Sequence, residues 1–279
     1  MNLIVQGKDV PTPSLKQLAK LTSATAIEAI SSTAFKLLSA DESLRAEVAA
    51  FCDAQALDCG WVPAERQISD FGLLVMDMDS TLITIECIDE IADMQGLKPQ
   101  VSSITEAAMR GEIDFAESLS RRVSLLKGLD QSALQRVYDE RLQLSPGAET
   151  LLAAVRAAGI KTLLVSGGFT FFTERLKLRL SLDYTAASTL DIVDGKLTGR
   201  VLGDIVDAQA KADWLNRVRS ELNLAPTQVI VMGDGANDLK MMAEAGVSIA
   251  YRAKPVVREQ ASHALNQMGL DGILPLLGG

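Results

Sequence analysis

Three short apolar runs, each followed at once by a polar cluster, constrain the fold of this chain more than any other feature. Residues 73–76 (LLVM) precede 77–81 (DMDST), residues 162–165 (TLLV) precede 166–168 (SGG), and residues 229–232 (VIVM) precede 233–238 (GDGAND). Uninterrupted apolar runs of this length are typical of strands that are buried on both faces of a parallel sheet. Helical patterns precede two of the runs, at 147–158 and 208–222. The sequence therefore predicts an α/β fold with a Rossmann-like parallel sheet.

The regions outside this pattern suggest a division of the chain. Residues 87–145, between the first two runs, are helical in pattern, rich in charge and too long for a simple crossover, so they predict an inserted helical cap. Residues 1–70 show a separate mixture of strand and helix patterns, which predicts a small N-terminal α+β domain. We therefore expect a catalytic domain over residues 71–279, with the cap inside it.

The composition excludes several classes of function. The net charge is −9 and the sequence pI is about 4.8, so the chain lacks the basic face that a nucleic-acid partner requires. A single histidine, His263, argues against a multi-histidine metal site and a Ser-His-Asp triad. No apolar run approaches the length of a membrane span, and the first residues do not resemble a signal peptide, so we expect a cytoplasmic protein without a membrane partner.

The polar clusters bring carboxylates to the ends of predicted strands. Ligands of open α/β sheets bind beyond the carboxyl ends of the strands, so we expect Asp77, Asp79 and Asp234 to share one crevice. Mg²⁺ prefers oxygen ligands and often binds through one or two carboxylates plus substrate phosphate. A carboxylate can also attack phosphorus, while a neighbouring carboxyl protonates the leaving oxygen and then activates water. The pattern therefore predicts magnesium-dependent phosphoryl chemistry.

Two further features fit a phosphate ligand. Residues 166–168 (SGG) lie between a predicted strand and a predicted helix, where free N–H groups suit phosphate oxygens and glycine permits a close approach. Lys211 lies one turn into a predicted helix and could offset the negative charge of the aspartates and the phosphate. By itself, each of these features is also typical of an ordinary turn or of a solvated lysine.

Taken together and in order, these motifs resemble those of the haloacid dehalogenase superfamily. The match extends to residues 86–90 (ECIDE) and 122–128 (RVSLLKG), and it is similar to the members that hydrolyse phosphoserine. The resemblance implies that Asp77 is the nucleophile and a metal ligand, and that Asp79 is the general acid/base with its carbonyl on the metal. It also implies that Asp234 is the remaining side-chain ligand of Mg²⁺.

The resemblance assigns other residues to the substrate. It implies that the phosphate is bound by Ser166, Gly167, Lys211 and Asn237, supported by Asp238, and that the rest of phosphoserine is contacted by Glu86, Arg122, Met109 and Phe115. Relatives often carry an N-terminal domain similar to the amino-acid-binding ACT type, which residues 1–70 match in length without a clear binding motif. A homodimer is left open.

Helical spacing gives an independent view of Arg122. On a helix through Phe115, the apolar side chains of Leu119, Val123 and Leu126 share one face, and Arg122 falls about 20° from Phe115. An arginine at the centre of an apolar stripe either extends its head to water, pairs with an acid or grips a ligand carboxylate. The same spacing does not choose between Glu86 and Glu90, since both fall on the polar side of their helix.

Two other functions remain open at this stage. The aspartyl-phosphate could pass to an alcohol rather than to water, which would make the protein a phosphotransferase. Alternatively, the chain could be a receiver phosphorylated on Asp77, or an amino-acid sensor that uses residues 1–70. The cap favours an enzyme, because a receiver needs no lid over its aspartate.

Overall fold

The computed structural model describes residues 1–278, apart from the side chain of Met109. The strands are β1 (Asn2–Gln6), β2 (Ala26–Ala29), β3 (Ala34–Leu38), β4 (Asp58–Val62), β5 (Leu73–Met76), β6 (Lys161–Phe169), β7 (Tyr184–Val193), β8 (Lys196–Leu202), β9 (Val229–Gly233), β10 (Val247–Tyr251) and β11 (His263–Leu265). The helices are α1 (Thr12–Leu21), α2 (Arg45–Ala54), α3 (Cys87–Asp93), α4 (Lys98–Met109), α5 (Phe115–Ser124), α6 (Ser132–Glu140), α7 (Ala148–Ala157), α8 (Thr170–Leu180), α9 (Ala208–Glu221), α10 (Leu239–Met242) and α11 (Pro255–Gln260).

The predicted parallel sheet is present. Seven strands follow the order β11-β10-β9-β5-β6-β7-β8. The pairs β9–β10, β10–β11 and β6–β7 are parallel, and only β7–β8 is antiparallel among the pairings described. All four residues of β5 are fully buried, as expected for a strand covered on both faces. The α/β prediction is therefore confirmed.

By its contacts the chain forms two compact units. The first comprises Met1–Leu74, Pro146–Lys161 and the residues from Leu222 onward, and the second comprises Val75–Ser145 and Thr162–Glu221. The second unit holds the helices α3 to α6 of the predicted cap and the hairpin of β7 and β8. None of the helices in the described residues is both long enough and apolar enough to span a membrane.

The hairpin of β7 and β8 turns at an Asp-Gly dipeptide, which is a strong sequence signal for a hairpin. Asp194 and Gly195 have φ values of 51° and 75°, the left-handed pair that a tight two-residue turn requires. The hairpin also pairs with the segment that follows α5, because Gly128 N donates to Leu197 O at 2.8 Å and Leu197 N donates to Leu129 O at 2.8 Å. Within the second unit, the hairpin thus fixes the end of the helix that carries Arg122.

The first unit contains a separate four-stranded sheet near the N-terminus. Its strand order is β2-β3-β1-β4, all antiparallel, and α1 and α2 cover one face with a core that includes Leu3, Leu18, Leu37 and Val48. The prediction of a small α+β region at the N-terminus agrees with these elements, while the boundary at residue 70 stays a prediction.

One carboxylate fixes strand β4 to the C-terminal part of the first unit. Asp58 is 3% exposed, and its oxygens accept hydrogen bonds from the backbone N–H groups of Asn266 (2.7 Å), Gln267 (3.0 and 3.2 Å) and Met268 (2.9 Å). Burial raises the pKa of Asp58, and these three N–H groups oppose that shift by stabilising its charged form. The carboxylate therefore satisfies three successive backbone donors 208 to 210 residues away.

The single histidine lies beside this contact. His263 is buried on β11, and a Cβ added to Gly60 would lie 2.8 Å from its Nδ1. Burial, with the nearby charges of Arg66 and Arg45, lowers the pKa of His263 to about 4. The ring is therefore neutral at physiological pH, and it packs against Gly60 of β4.

Replacing Asp58 should lower the free energy of unfolding. Asp58→Ala leaves three N–H groups without their acceptor, and we expect a loss of about 2–5 kcal/mol, measured by urea unfolding. The exposed Asp53 of α2 gives a matched control, for which Asp53→Ala should change stability by less than about 0.5 kcal/mol. Equal stability of the two variants would contradict a structural role for the Asp58 carboxylate.

Candidate active site

Asp77 follows β5 and pairs with a buried lysine. The Lys211 Nζ lies 2.7 Å from Asp77 Oδ1, and the two side chains are 1% and 7% exposed. Lys211 stands in the first turn of α9, whose start is fixed by Asp207, since the Asp207 carboxylate accepts from Ala210 N and its carbonyl accepts from Lys211 N. A buried ammonium costs several kcal/mol unless it is paired, so Lys211 requires the Asp77 carboxylate beside it.

Asp79 lies in the turn that follows β5. Its Oδ1 accepts from Cys87 N at 2.9 Å, and its Oδ2 accepts from the Ser166 hydroxyl at 3.4 Å. Burial raises the pKa of Asp79, while the hydrogen bonds from Cys87 and Ser166 and the charge of Lys211 oppose the shift. A carboxyl with a raised pKa is suited to donate a proton and later to accept one.

The segment 166–168 packs too closely for side chains at its glycines. A Cβ on Gly168 would lie 2.8 Å from Asp79 Oδ2, and a Cβ on Gly167 would lie 2.7 Å from the ring of Phe115. Gly168 N donates to the Ser166 hydroxyl at 2.8 Å. The two glycines therefore let Asp79 from the turn and Phe115 from α5 approach the end of β6.

Arg122 lies on the partly buried side of α5, as the helical spacing predicts. Within the residues that the structure describes, its guanidinium forms no ion pair, and its only hydrogen bond runs from Nε to Ser118 O at 3.4 Å. Burial lowers the pKa of Arg122, and the carboxylates of Asp89, Glu86 and Asp79 oppose this shift. By contrast, the neighbouring Arg121 is exposed and pairs with Glu117. The guanidinium of Arg122 is thus not committed to a structural salt bridge.

In the structure, Glu86 and Glu90 have different hydrogen-bond partners. Glu90 forms a salt bridge of 2.7 Å with Arg141, so its carboxylate links α3 to the residue that follows α6. Glu86 precedes α3, and its Oε1 accepts from the Ser80 hydroxyl at 2.6 Å. Of the two acids, Glu86 is therefore the one that is held against the turn that carries Asp79 and Ser80.

The third motif lies in the first unit, at the end of β9. Asp238 is fully buried and accepts from Gly235 N at 3.1 Å, and a Cβ on Gly233 would collide with its carboxylate. One group of carboxylates among the described residues has the chemistry to hold a metal ion. It consists of Asp234 and Asp238 in this unit and Asp77 in the other. Asn237 lies in the same short turn.

Two further predicted residues lie within residues 87–145, the predicted cap. Phe115 begins α5 and lies against Gly167, as described above. Met109 ends α4, and its side chain lies outside the described part of the structure.

Two contacts of this site were not predicted from the sequence. The first is the donation from Cys87 N to Asp79, and the second is the hydrogen bond from Ser80 to Glu86. The signal in the sequence is the short spacing between residues 77–81 and 86–90, which forces the chain back past the strand end within one loop. Spacing alone does not say which atoms meet.

Comparison with known proteins agrees with this geometry. Residues 74–243 match the model of the haloacid dehalogenase-like hydrolase family, and residues 3–48 match a domain of unknown function, DUF4072. The chain is 55% identical over 218 residues to a phosphoserine phosphatase of Polaromonas sp., covering 76% of this chain and 92% of that relative.

Solved structures show the same likeness. A probable phosphoserine phosphatase from Vibrio cholerae, in unliganded form, has a TM-score of 0.86 and 40% identity, and the match covers 99% of this chain and 86% of that one. A phospho-aspartyl intermediate analogue of phosphoserine phosphatase has a TM-score of 0.70 and 37% identity, covering 74% of this chain and 99% of its own. The chain belongs to the haloacid dehalogenase-like hydrolase family.

Proposed function

We propose that this protein is a phosphoserine phosphatase, which hydrolyses O-phospho-L-serine to L-serine and phosphate through an aspartyl-phosphate on Asp77. The observation that carries the proposal is the buried pair of Asp77 and Lys211 directly after β5, in a chain 55% identical to a phosphoserine phosphatase. A buried carboxylate paired with a lysine is a suitable nucleophile toward phosphorus.

The reaction proceeds in two steps. In the first, a carboxylate oxygen of Asp77 forms a bond to phosphorus as the bond to the serine oxygen breaks, and Asp79 gives its proton to that leaving oxygen. In the second, Asp79 takes a proton from a water molecule, which attacks phosphorus and releases phosphate from Asp77. The raised pKa of Asp79 supports its role as the proton donor.

The phosphate is held by groups near the ends of the strands. The Ser166 hydroxyl, the backbone at Gly167 and the Lys211 ammonium supply donors and positive charge, and Asn237 adds an amide with Asp238 as its support. Their joint role is supported by the order of the motifs in the family. The overall charge of −9 attracts no anion, so local positive charge is required here.

A magnesium ion fits the available donors. We assign it to the side chains of Asp77 and Asp234 and to the carbonyl of Asp79, because carboxylate and carbonyl oxygens are the ligands that Mg²⁺ prefers. Asp238 supports that cluster. When bound, the ion offsets the negative charge of the phosphate and of the carboxylates around it.

The cap recognises the amino-acid part of the substrate. Arg122 is partly buried without an ion pair in the described residues, so its fork is suited to the substrate carboxylate. Glu86 supplies the opposite charge for the ammonium group. Phe115 lines the cap around them, which is supported by its contact with Gly167, and Met109 keeps this role only as an implication of the family resemblance.

The proposed substrate also suggests the setting of the reaction. Release of serine from phosphoserine is the last step of serine biosynthesis, and we propose this role, in the cytoplasm, for the chain. A homodimer stays a prediction, and sedimentation velocity of the purified protein tests it.

The first prediction concerns the nucleophile. Asp77→Asn should lower phosphate release from phosphoserine by more than about a thousandfold, because an amide does not attack phosphorus. With radiolabelled phosphoserine and an acid quench, Asp79→Asn should retain label on the protein and Asp77→Asn should retain none. The double variant Asp77→Asn with Lys211→Met provides a control for folding. It removes both charges of the buried pair, so neither side chain is left as an unpaired buried ion. Activity near wild type in Asp77→Asn would refute the covalent mechanism.

The second prediction concerns the metal. Removal of divalent cations with EDTA should abolish phosphate release, and added Mg²⁺ should restore it. Ca²⁺ should inhibit, because its looser coordination lets both oxygens of the attacking carboxylate bind the ion. Full activity in EDTA would exclude the proposed metal dependence.

The third prediction concerns substrate selection. Arg122→Ala and Glu86→Ala should each lose about 2–5 kcal/mol of transition-state binding on phosphoserine, which is roughly 30-fold to several-thousand-fold in kcat/KM. Their losses on p-nitrophenyl phosphate should be far smaller, because that substrate lacks both charged groups. The matched controls are Arg121→Ala and Glu90→Ala, which remove neighbouring charges engaged in salt bridges. Equal losses on both substrates would mean that Arg122 and Glu86 are structural.

A further inference from the structure

The turn after β5 contains a serine in an unusual backbone conformation. Ser80 has φ and ψ of 54° and 1°, in the left-handed region that L-residues other than asparagine and aspartate rarely adopt. Its N–H donates to Ile85 O at 3.2 Å, which closes the loop that leads back to α3. Conformations of this kind persist where the surrounding structure fixes them, often beside a functional group.

The Ser80 side chain is directed at Glu86. Its hydroxyl donates to Glu86 Oε1 at 2.6 Å, the short distance typical of a hydrogen bond to an ionised carboxylate. Glu86 is the residue immediately before α3, yet its side chain does not cap that helix. The first N–H of α3, from Cys87, donates instead to Asp79. The Glu86 carboxylate is therefore held beside the catalytic turn rather than folded back onto its own helix.

We propose that Ser80 is a positioning residue for substrate selection, because its hydroxyl holds the Glu86 carboxylate where it receives the ammonium group of the substrate. This role presupposes the proposed function. A glutamate side chain has three rotatable bonds, so a free Glu86 would spread over several rotamers, and fixing one of them before binding strengthens recognition. The Ser80 hydroxyl is bound to Oε1, and a carboxylate can accept several hydrogen bonds at once.

The selectivity of the reaction toward the ammonium group tests this role. Phosphoglycolate carries a phosphate and a carboxylate but no ammonium, so it serves as the comparison substrate for phosphoserine. Ser80→Ala should lower kcat/KM on phosphoserine about tenfold more than on phosphoglycolate, chiefly through KM. Ser80→Gly should show the same selective loss, because glycine lacks the hydroxyl although it accepts the left-handed backbone without strain.

A double variant separates this role from an independent one. Because Ser80 acts through Glu86, adding Ser80→Ala to Glu86→Ala should bring no further loss of selectivity. Additive losses in the double variant, or equal losses on both substrates in the Ala and Gly variants, would overturn the inference. If Glu86→Ala loses more kcat/KM on phosphoserine than on phosphoglycolate and Ser80→Ala does not, only the role of Ser80 fails. If Glu86→Ala itself shows no selectivity, the assignment of Glu86 under the proposed function fails as well.

Discussion

The buried ion pair between Lys211 and Asp77 is the interaction on which the chemistry of the second unit depends. An ammonium group that is 1% exposed is tolerated only beside a negative charge, so the lysine and the carboxylate require each other. The pair connects the end of β5 with the first turn of α9 and supplies positive charge in a chain whose net charge is −9. The phosphate site proposed for this acidic protein relies on that local positive charge.

A short turn connects this ion pair with the start of α3. Asp77, Asp79 and Ser80 are nearly consecutive, yet they pair with Lys211, with Cys87 N and with Glu86 respectively. The groups proposed for bond breaking and for substrate selection therefore share one stretch of backbone. A displacement of this turn would affect both, which gives a physical reason for its fixed and partly left-handed conformation.

The sequence predicted the elements that have a regular pattern, and it missed those that depend on distant partners. The buried strand β5, the turn at Asp194 and the helix through Arg122 follow from local periodicity and turn chemistry. Strand β2 has no clear pattern in the sequence, because all of its residues are exposed and no alternation of burial marks it. The acceptor role of Asp58 was not predictable, since its donors lie more than two hundred residues away. Helical spacing did not choose between Glu86 and Glu90, and the family resemblance assigned Glu86. The salt bridge of Glu90 with Arg141 adds a physical difference between the two acids that spacing does not reveal.

The contact between Asp58 and residues 266–268 has a consequence for the order in which the chain is completed. Translation proceeds from the N-terminus, so strand β4 leaves the ribosome long before residues 266–268 are synthesised. Until then the Asp58 carboxylate must remain hydrated, and the sheet of β1 to β4 must stand without the surface that later buries it. Residues 266–268 therefore complete a region of the first unit that is synthesised about two hundred residues earlier.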